Sequence, residues 1–182
     1  MDTAKFENKN NLCIYSYNSR GFSLEKQEIM KSLMTGTDRY YPILCNQENF
    51  LLKTNSFKIN QCLPDNKIIF KRAIKESLDG RPNYGMFIAI PNVIEHYVTD
   101  VSPNHWRVQA VILSTPKNKI LLINTYFPTD PRINEFDISD LLSTLSAISA
   151  TMDENDYDNI IWGGDINADF ARNSSVLQSA TT

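Results

Sequence analysis

The sequence predicts a mixed α/β domain, with layered sheets carrying helices on their outer faces, and three observations predict it. The chain opens strand–helix–strand, with "LCIYSYN" (residues 12–18), "SLEKQEIMKSLM" and "YPILCNQE" (41–48). Its middle is a succession of β-forming runs in hairpin order. Its last third joins one long helical stretch to a returning apolar run, "NIIWGGD". Consecutive hairpins with helices segregated between them favour stacked layers.

Each element has its own signal. The run over 12–18 alternates and is rich in aromatics, as a strand should be. In the helix that follows, Leu24, Ile29, Leu33 and Met34 fall near helical spacing, and Ser23 is placed to cap its N-terminus. "KIIFKRAI" and "MFIAIPNV" flank "LDGRPNYG", whose Gly80, Pro82, Asn83 and Gly85 favour chain reversal. "HYVTDV", "WRVQAVILST" and "KILLINTYFP" read as further strands, with "PKN" turning tightly between the last two. Residues 135–152 predict a helix with Leu141, Leu142, Leu145 and Ile148 on its buried face. "NIIWGGD" then predicts a buried strand whose two glycines mark a turn.

Bulk properties narrow the class. The 182 residues are 42% hydrophobic, 21% charged and 10% aromatic, an ordinary globular composition of about one domain. No apolar run approaches the roughly 20 residues of a membrane span. "MDTAKFENKNN" has no apolar signal region, so an intracellular protein is expected, with residues 1–11 as a flexible tail and 12–182 as the domain. Cys13, Cys45 and Cys62 are odd in number and lack metal spacing, and are expected to be reduced core residues. The net charge of -3 hides an asymmetry: residues 1–128 carry 16 Lys+Arg against 11 Asp+Glu, and residues 129–182 carry 2 against 10. This is not the strongly basic balance of a tight, sequence-independent DNA binder. Ordinary solvated faces account for it, and so would a phosphate-facing surface beside a metal-binding edge.

Four predicted strands end alike. "YSYN" ends in Asn18, "LCNQE" in Glu48, "NTYFP" presents Tyr126, and "WGGDIN" delivers Asp165 and Asn167. If these ends share one edge of the layered sheets, their side chains line one pocket, where sites on such folds lie. Glu48 and Asp165 supply hard oxygen ligands suited to Mg²⁺. Asn18, Asn167 and Tyr126 supply neutral hydrogen-bonding groups. No Cys, Lys or His stands among them as a nucleophile, and the set suits metal-assisted attack of water on a phosphodiester. Taken singly, each residue has a plainer account: Asn18 as a turn residue, Glu48 as a solvated acid, Tyr126 as a strand aromatic, and Asp165 and Asn167 as turn formers.

The blocks "IYSYNSRGF", "ILCNQENFL", "GMFIAIP", "INTYFPTD" and "WGGDINADF" resemble, in order and spacing, the endonuclease/exonuclease/phosphatase superfamily. They are most similar to the apurinic-type endonuclease domain of non-LTR retrotransposon polyproteins. The resemblance implies a four-layered α/β sandwich with two central sheets. It also implies Mg²⁺ as cofactor, with Mn²⁺ as its substitute, DNA as substrate, and a reverse-transcriptase domain in the parent polyprotein. By position, Glu48 would be the main metal ligand, with Asn18 helping to fix the metal. Asp165 would orient and deprotonate the attacking water, while Asn167 and Tyr126 would hydrogen-bond the scissile phosphate. Arg20 and Arg81 would bind substrate, and Arg107 is a further candidate cation.

Three departures bear on activity. Arg20 stands where the repair enzymes carry Asp, and Thr129 where many relatives carry Asn. The family's C-terminal Asp-His element has no counterpart before the chain ends in "VLQSATT"; His96 and His105 precede it and read as surface or strand histidines. The resemblance therefore implies a domain incomplete at its C-terminus, with a second sheet short of strands and DNA nicking that is weak or absent unless a downstream His-containing segment is added. Two other functions stay open: a lipid or inositol-phosphate phosphatase of the same fold, and a non-catalytic remnant that binds nucleic acid or protein.

Overall fold

The computed structural model describes residues 11–36, 39–75, 80, 82–128 and 135–167, the last from side chain 138 onward. Eight strands and three α-helices follow in the order β1 (Asn11–Asn18), α1 (Leu24–Met34), β2 (Tyr40–Gln47), α2 (Phe57–Cys62), β3 (Asn66–Ile74), β4 (Asn83–Pro91), β5 (Val98–Asp100), β6 (Val108–Ser114), β7 (Lys119–Tyr126), α3 (Glu135–Asp153) and β8 (Asn159–Asp165). They form two four-stranded sheets, ordered β1-β2-β4-β3 and β5-β6-β7-β8. In each sheet one strand pair is parallel, β1 with β2 and β7 with β8, and the other pairs are antiparallel.

The two-residue period of a strand explains the layering. Along β4, Ile88 and Ile90 pack into the seam between the sheets with Ile43, Val111 and Leu122. Phe87 and Ala89 point the other way, against Met30 of α1 and Ile59 and Cys62 of α2. In the second sheet, Ala110, Ile112, Leu121 and Ile123 turn outward onto Ile148 of α3. Strands buried on both faces need apolar residues at every position, which is why "MFIAI" and "ILLI" run unbroken. The result is helix, sheet, sheet, helix: four layers. Among the described residues no helix is long and apolar enough to cross a membrane.

Several expectations meet the structure directly. Ser23 caps α1, its side chain accepting from Lys26 N, and Thr115 N donates to Asn118 O across the β6–β7 turn at 2.9 Å. Others shift. Asn11 already belongs to β1, and residues 1–10 of the expected tail lie outside the described residues. Asn83 and Gly85 lie within β4, and His96 and Tyr97 within a 3-10 turn, Asn92–Tyr97, so β5 keeps only three residues. Helix α2 has no counterpart in the sequence reading, because six residues are too few to display a helical period.

Two corrections concern burial. The inward face of α3 is Leu141, Thr144, Ile148 and Thr151; Leu142 and Leu145 are 60% and 40% exposed. The threonines bury without penalty because their hydroxyls donate to the carbonyls four residues back, Asp140 O and Ala147 O, both at 2.7 Å. Strand β8 was expected to be buried, yet Ile160, Ile161 and Trp162 are exposed, since β8 is the edge of its sheet among the described residues.

The three cysteines are unpaired. Burial alone pushes the Cys45 thiol from its ordinary 9.0 up to about 12. Its folded value lies above its unfolded one, so its contribution to stability is complete below pH 9 and declines as pH rises toward 12. Iodoacetamide at pH 8 should modify half-buried Cys13 in the native protein, and Cys45 roughly 10²-fold more slowly or only after unfolding. Peptide mass spectrometry reads the ratio, and equal labelling would contradict this burial.

Candidate active site

Both parallel strand pairs end on the same side of the sandwich. In the first sheet Asn18 pairs with Gln47, and Glu48 follows at once; in the second, Tyr126 pairs with Asp165. Asn18 Nδ2 donates across the seam to Asp165 Oδ2 at 2.6 Å. Asp165 Oδ1 accepts from Asn167 N at 3.0 Å. The Asn167 side chain donates to Phe127 O at 2.7 Å. Tyr126 Oη in turn donates to Glu48 Oε1 at 2.5 Å. Two hydrogen-bonded groups thus bridge the sheets side by side, Asn18–Asp165–Asn167 and Tyr126–Glu48, joined through the backbone of Phe127, whose carbonyl accepts from Asn167.

Local backbone explains how the ends are presented. Glu48 and Asn167 sit at φ 54° and 49°, the left-handed region that non-glycine residues seldom adopt. Glu48 is held there from both sides, its carbonyl accepting from Gly21 N at 2.7 Å while the next residue's N–H donates to Gly85 O at 3.1 Å. Such strain costs of order 1–3 kcal/mol and persists only where the surroundings over-determine it. The glycines of "WGGD" do not make the expected turn, because β8 runs through both to Asp165. Gly164, at φ 137°, instead allows β8 to lie against β7, where a Cβ would stand 2.0 Å from Thr125 O. Gly163 has no such requirement, as its Cβ would meet only Ser16 Cβ at 3.9 Å.

Electrostatics sort the roles open to each group. Burial, then the bond to Glu48, raises the Tyr126 hydroxyl well above its ordinary value, although Asn167 and Arg107 act the other way. The phenol therefore stays protonated and donates. Asp165 has both oxygens committed to N–H donors, which fixes its plane. Glu48 Oε2 has no hydrogen-bond partner among the described residues.

The donor set fits a hard cation. Among the described residues no three His, Cys, Asp or Glu side chains gather into a metal cage. Mg²⁺ needs none, since it keeps several waters and binds through one or two carboxylates plus substrate oxygens. Glu48 Oε2 and the Asn18 side-chain oxygen, which already accepts from Arg20 N at 3.1 Å, are oxygens that could hold it.

The candidate cations fare differently. Arg20 is exposed beside Asn18 at φ 48°. Arg81 and Thr129 lie outside the described residues. Arg107 is no surface cation: it is 4% exposed, pairs through Nη2 with Asp140 at 2.6 Å, donates through Nη1 to Tyr126 O at 3.2 Å, and lies 3.9 Å over the Trp106 ring. Its backbone N–H donates to His105 Nδ1 at 3.3 Å, and His105 Nε2 faces Ser143 Oγ at the same distance. Burial lowers the His105 value, and its hydrogen bonds to Ser143 and to Arg107 N are made away from the five candidate residues. Arg107→Ala should cost about 3 kcal/mol, because it strands a half-buried carboxylate and removes the stack on Trp106. Urea unfolding measures this, and a change within about 0.5 kcal/mol, the ordinary range of surface substitutions, would contradict the buried pair.

Polar residues lie beneath the site to which the sequence assigns no role, although Gln47 belongs to the "QE" pair that is among the most specific parts of the resemblance. Gln47, Asn124 and Gln109 are 0% exposed within apolar strands. Their signal is an amide interrupting a run such as "ILLINTY", but the partner lies in the other sheet.

No protein-family model and no curated protein matches the sequence. The fold does match solved structures. The AP endonuclease LMAP from Leishmania major superposes at TM-score 0.61 and 16% identity, over 85% of this chain and 55% of that one. The 3′ phosphatase NExo from Neisseria, solved with a product DNA hairpin, gives 0.58 and 14%, over 85% and 57%. TDP2 from C. elegans gives 0.54 and 14%, over 86% and 48%. These are proteins of the endonuclease/exonuclease/phosphatase fold, and the chain has that fold while spanning about half their length.

Proposed function

We propose that the chain is a slow, Mg²⁺-dependent phosphodiesterase that nicks DNA, an endonuclease of the retrotransposon type. The observation that carries this is the pair of cross-sheet bonds, Tyr126 to Glu48 and Asn18 to Asp165, which bring to one end of the sandwich a carboxylate with an unengaged oxygen and a second carboxylate held between two donors. Bound at Glu48 and Asn18, with Mn²⁺ as a substitute, Mg²⁺ would supply charge stabilisation to the phosphoryl group. With substrate bound, the Tyr126 hydroxyl would turn its single proton from Glu48 Oε1, and the Asn167 amide its second N–H, to the non-bridging phosphate oxygens. Asp165, kept in plane by Asn18 Nδ2 and Asn167 N, would accept the proton of the attacking water.

Turnover is slow on this reading because no imidazole belongs to the site among the described residues. The departing oxygen must take its proton from solvent, and lack of a general acid commonly costs ~10²–10⁴-fold. DNA as substrate is supported by the nucleases and 3′ phosphatase that share the fold, one of them holding a DNA product. An attached reverse-transcriptase domain is the partner implied by the resemblance to retrotransposon polyproteins.

Conversion of supercoiled plasmid to open circles, with enzyme in excess and Mg²⁺ against EDTA, tests the reaction. Metal-dependent conversion is expected. Metal-independent DNA binding without conversion would make the chain a binding module. Release of phosphate from inositol phosphates or phospholipids, with plasmid left intact, would move the site to a different substrate class.

A further inference from the structure

Each half of the site belongs to a different sheet. Asn18 and Glu48 end strands of the first; Tyr126, Asp165 and Asn167 end strands of the second. The seam between the sheets is packed by Ile43, Ile88, Ile90, Val111 and Leu122. Apolar packing resists separation strongly but is non-directional, so it does little to set how far one sheet slides over the other. Hydrogen bonds, which demand distance and angle, do.

One such bond sits directly below the reacting groups. Gln47 Nε2 donates to Asn124 Oδ1 at 2.6 Å, from the first sheet to the second. Asn124 Nδ2 returns across the seam to Asn46 O at 3.3 Å and reaches Gln109 Oε1 at the same distance. Gln47 Oε1 is buried with no partner among the described residues, so this amide is not placed to satisfy itself alone. Gln47 immediately precedes Glu48. Asn124 lies two residues before Tyr126, on the same face of β7.

We propose that the Gln47–Asn124 amide pair positions the two halves of the site, Asn124 being a positioning residue that sets the Tyr126–Glu48 contact. The inference rests on the reaction proposed above. A slide of about 1 Å would break both the 2.5 Å Tyr126–Glu48 bond and the 2.6 Å Asn18–Asp165 bond, and misplacement of that size costs about 10²-fold in rate.

The test uses the whole chain in three variants, Asn124→Leu, Gln47→Met/Asn124→Leu and Tyr126→Phe. A short O–H···O bond to a carboxylate gives a low-field hydroxyl proton signal in NMR, assigned to Tyr126 by its loss in Tyr126→Phe. Asn124→Leu should lose this signal and slow single-turnover nicking roughly 10–10²-fold. It removes the shortest bond of Gln47 Nε2, leaving the longer ones to Ser16 Oγ and Cys45 O, and strips Asn46 O and Gln109 Oε1 of a donor, so it also melts at lower temperature. The double variant removes both amides and should recover much of the melting temperature, yet neither the proton signal nor the rate. Recovery of signal and rate together with stability would overturn the proposal by showing a merely structural role, as would an unchanged signal in Asn124→Leu. If the wild-type chain shows no metal-dependent nicking, the proposed reaction fails, while the proton signal still decides the positioning role.

Discussion

Asp165→Ala should lower the single-turnover nicking rate by a factor of about 10²–10⁴, the usual cost of deleting a positioned base. The structure explains why no neighbour can substitute. Asn18 Nδ2, Asn167 N and the Tyr126 hydroxyl are donors at the positions they occupy, and Glu48 is the carboxylate proposed to hold the cation. The substitution removes two hydrogen bonds at the half-buried rim of the sandwich, so the fold should lose only about 1–2 kcal/mol and the variant remains measurable. The assay is plasmid conversion in Mg²⁺, with far-ultraviolet circular dichroism confirming the fold. A variant retaining a third or more of the wild-type rate would remove Asp165 from the reaction.

The largest stability effect should come from one methyl group at Gly164. A Cβ there would lie 2.0 Å from Thr125 O and 2.7 Å from Thr125 N, and all its nearest neighbours are backbone. The atoms it meets belong to the adjoining strand, so they cannot swing aside as a side-chain tip could. The φ of 137° adds strain that an L-residue seldom accepts. Gly164→Ala should therefore cost about 4 kcal/mol or more, among the larger effects of single substitutions. Against a typical total of roughly 5–15 kcal/mol, this leaves little margin. Gly163→Ala is the matched control: a Cβ there meets Ser16 at ordinary contact distance, and the expected cost is about 1 kcal/mol or less. Parallel urea titrations give both numbers. Similar costs at the two positions would mean that β8 does not lie against β7 as described.

Much of the fold could be read locally because four strands, β2, β4, β6 and β7, are buried on both faces, and their apolar runs stand out from the polar loops. Ser23 announced the start of α1 because a cap acts within one turn. The strand ends carrying Asn18, Glu48, Tyr126, Asp165 and Asn167 could be picked out because each sets a polar group at the tip of an apolar run. Their bringing together is a property of two parallel pairings that no local pattern encodes.

The errors share a cause. The face of α3 was misjudged because leucines outweigh threonines in any apolar period, yet Thr144 and Thr151 bury by bonding their own helix. "WGGD" suggested a turn because glycine pairs usually make one; only the proximity of Thr125 shows that Gly164 serves close approach instead. Arg107 read as a candidate surface cation because its partner, Asp140, lies in a distant helix. Gln47 stands out in sequence only as part of the "QE" pair of the resemblance, and Asn124 and Gln109 carry no local signal, because each becomes informative only with a partner far along the chain or across the seam.

Manganese titration followed by amide NMR tests the central claim most directly, that these five residues line one cavity for a cation and a phosphate. Mn²⁺ broadens signals only close to where it binds. At a small fraction of one equivalent, the amides of Asn18, Glu48 and Asp165 should broaden first, and should stay sharp in Glu48→Ala. First broadening around the exposed acids Asp153, Glu154, Asp156 and Asp158, or a pattern unchanged by Glu48→Ala, would contradict it.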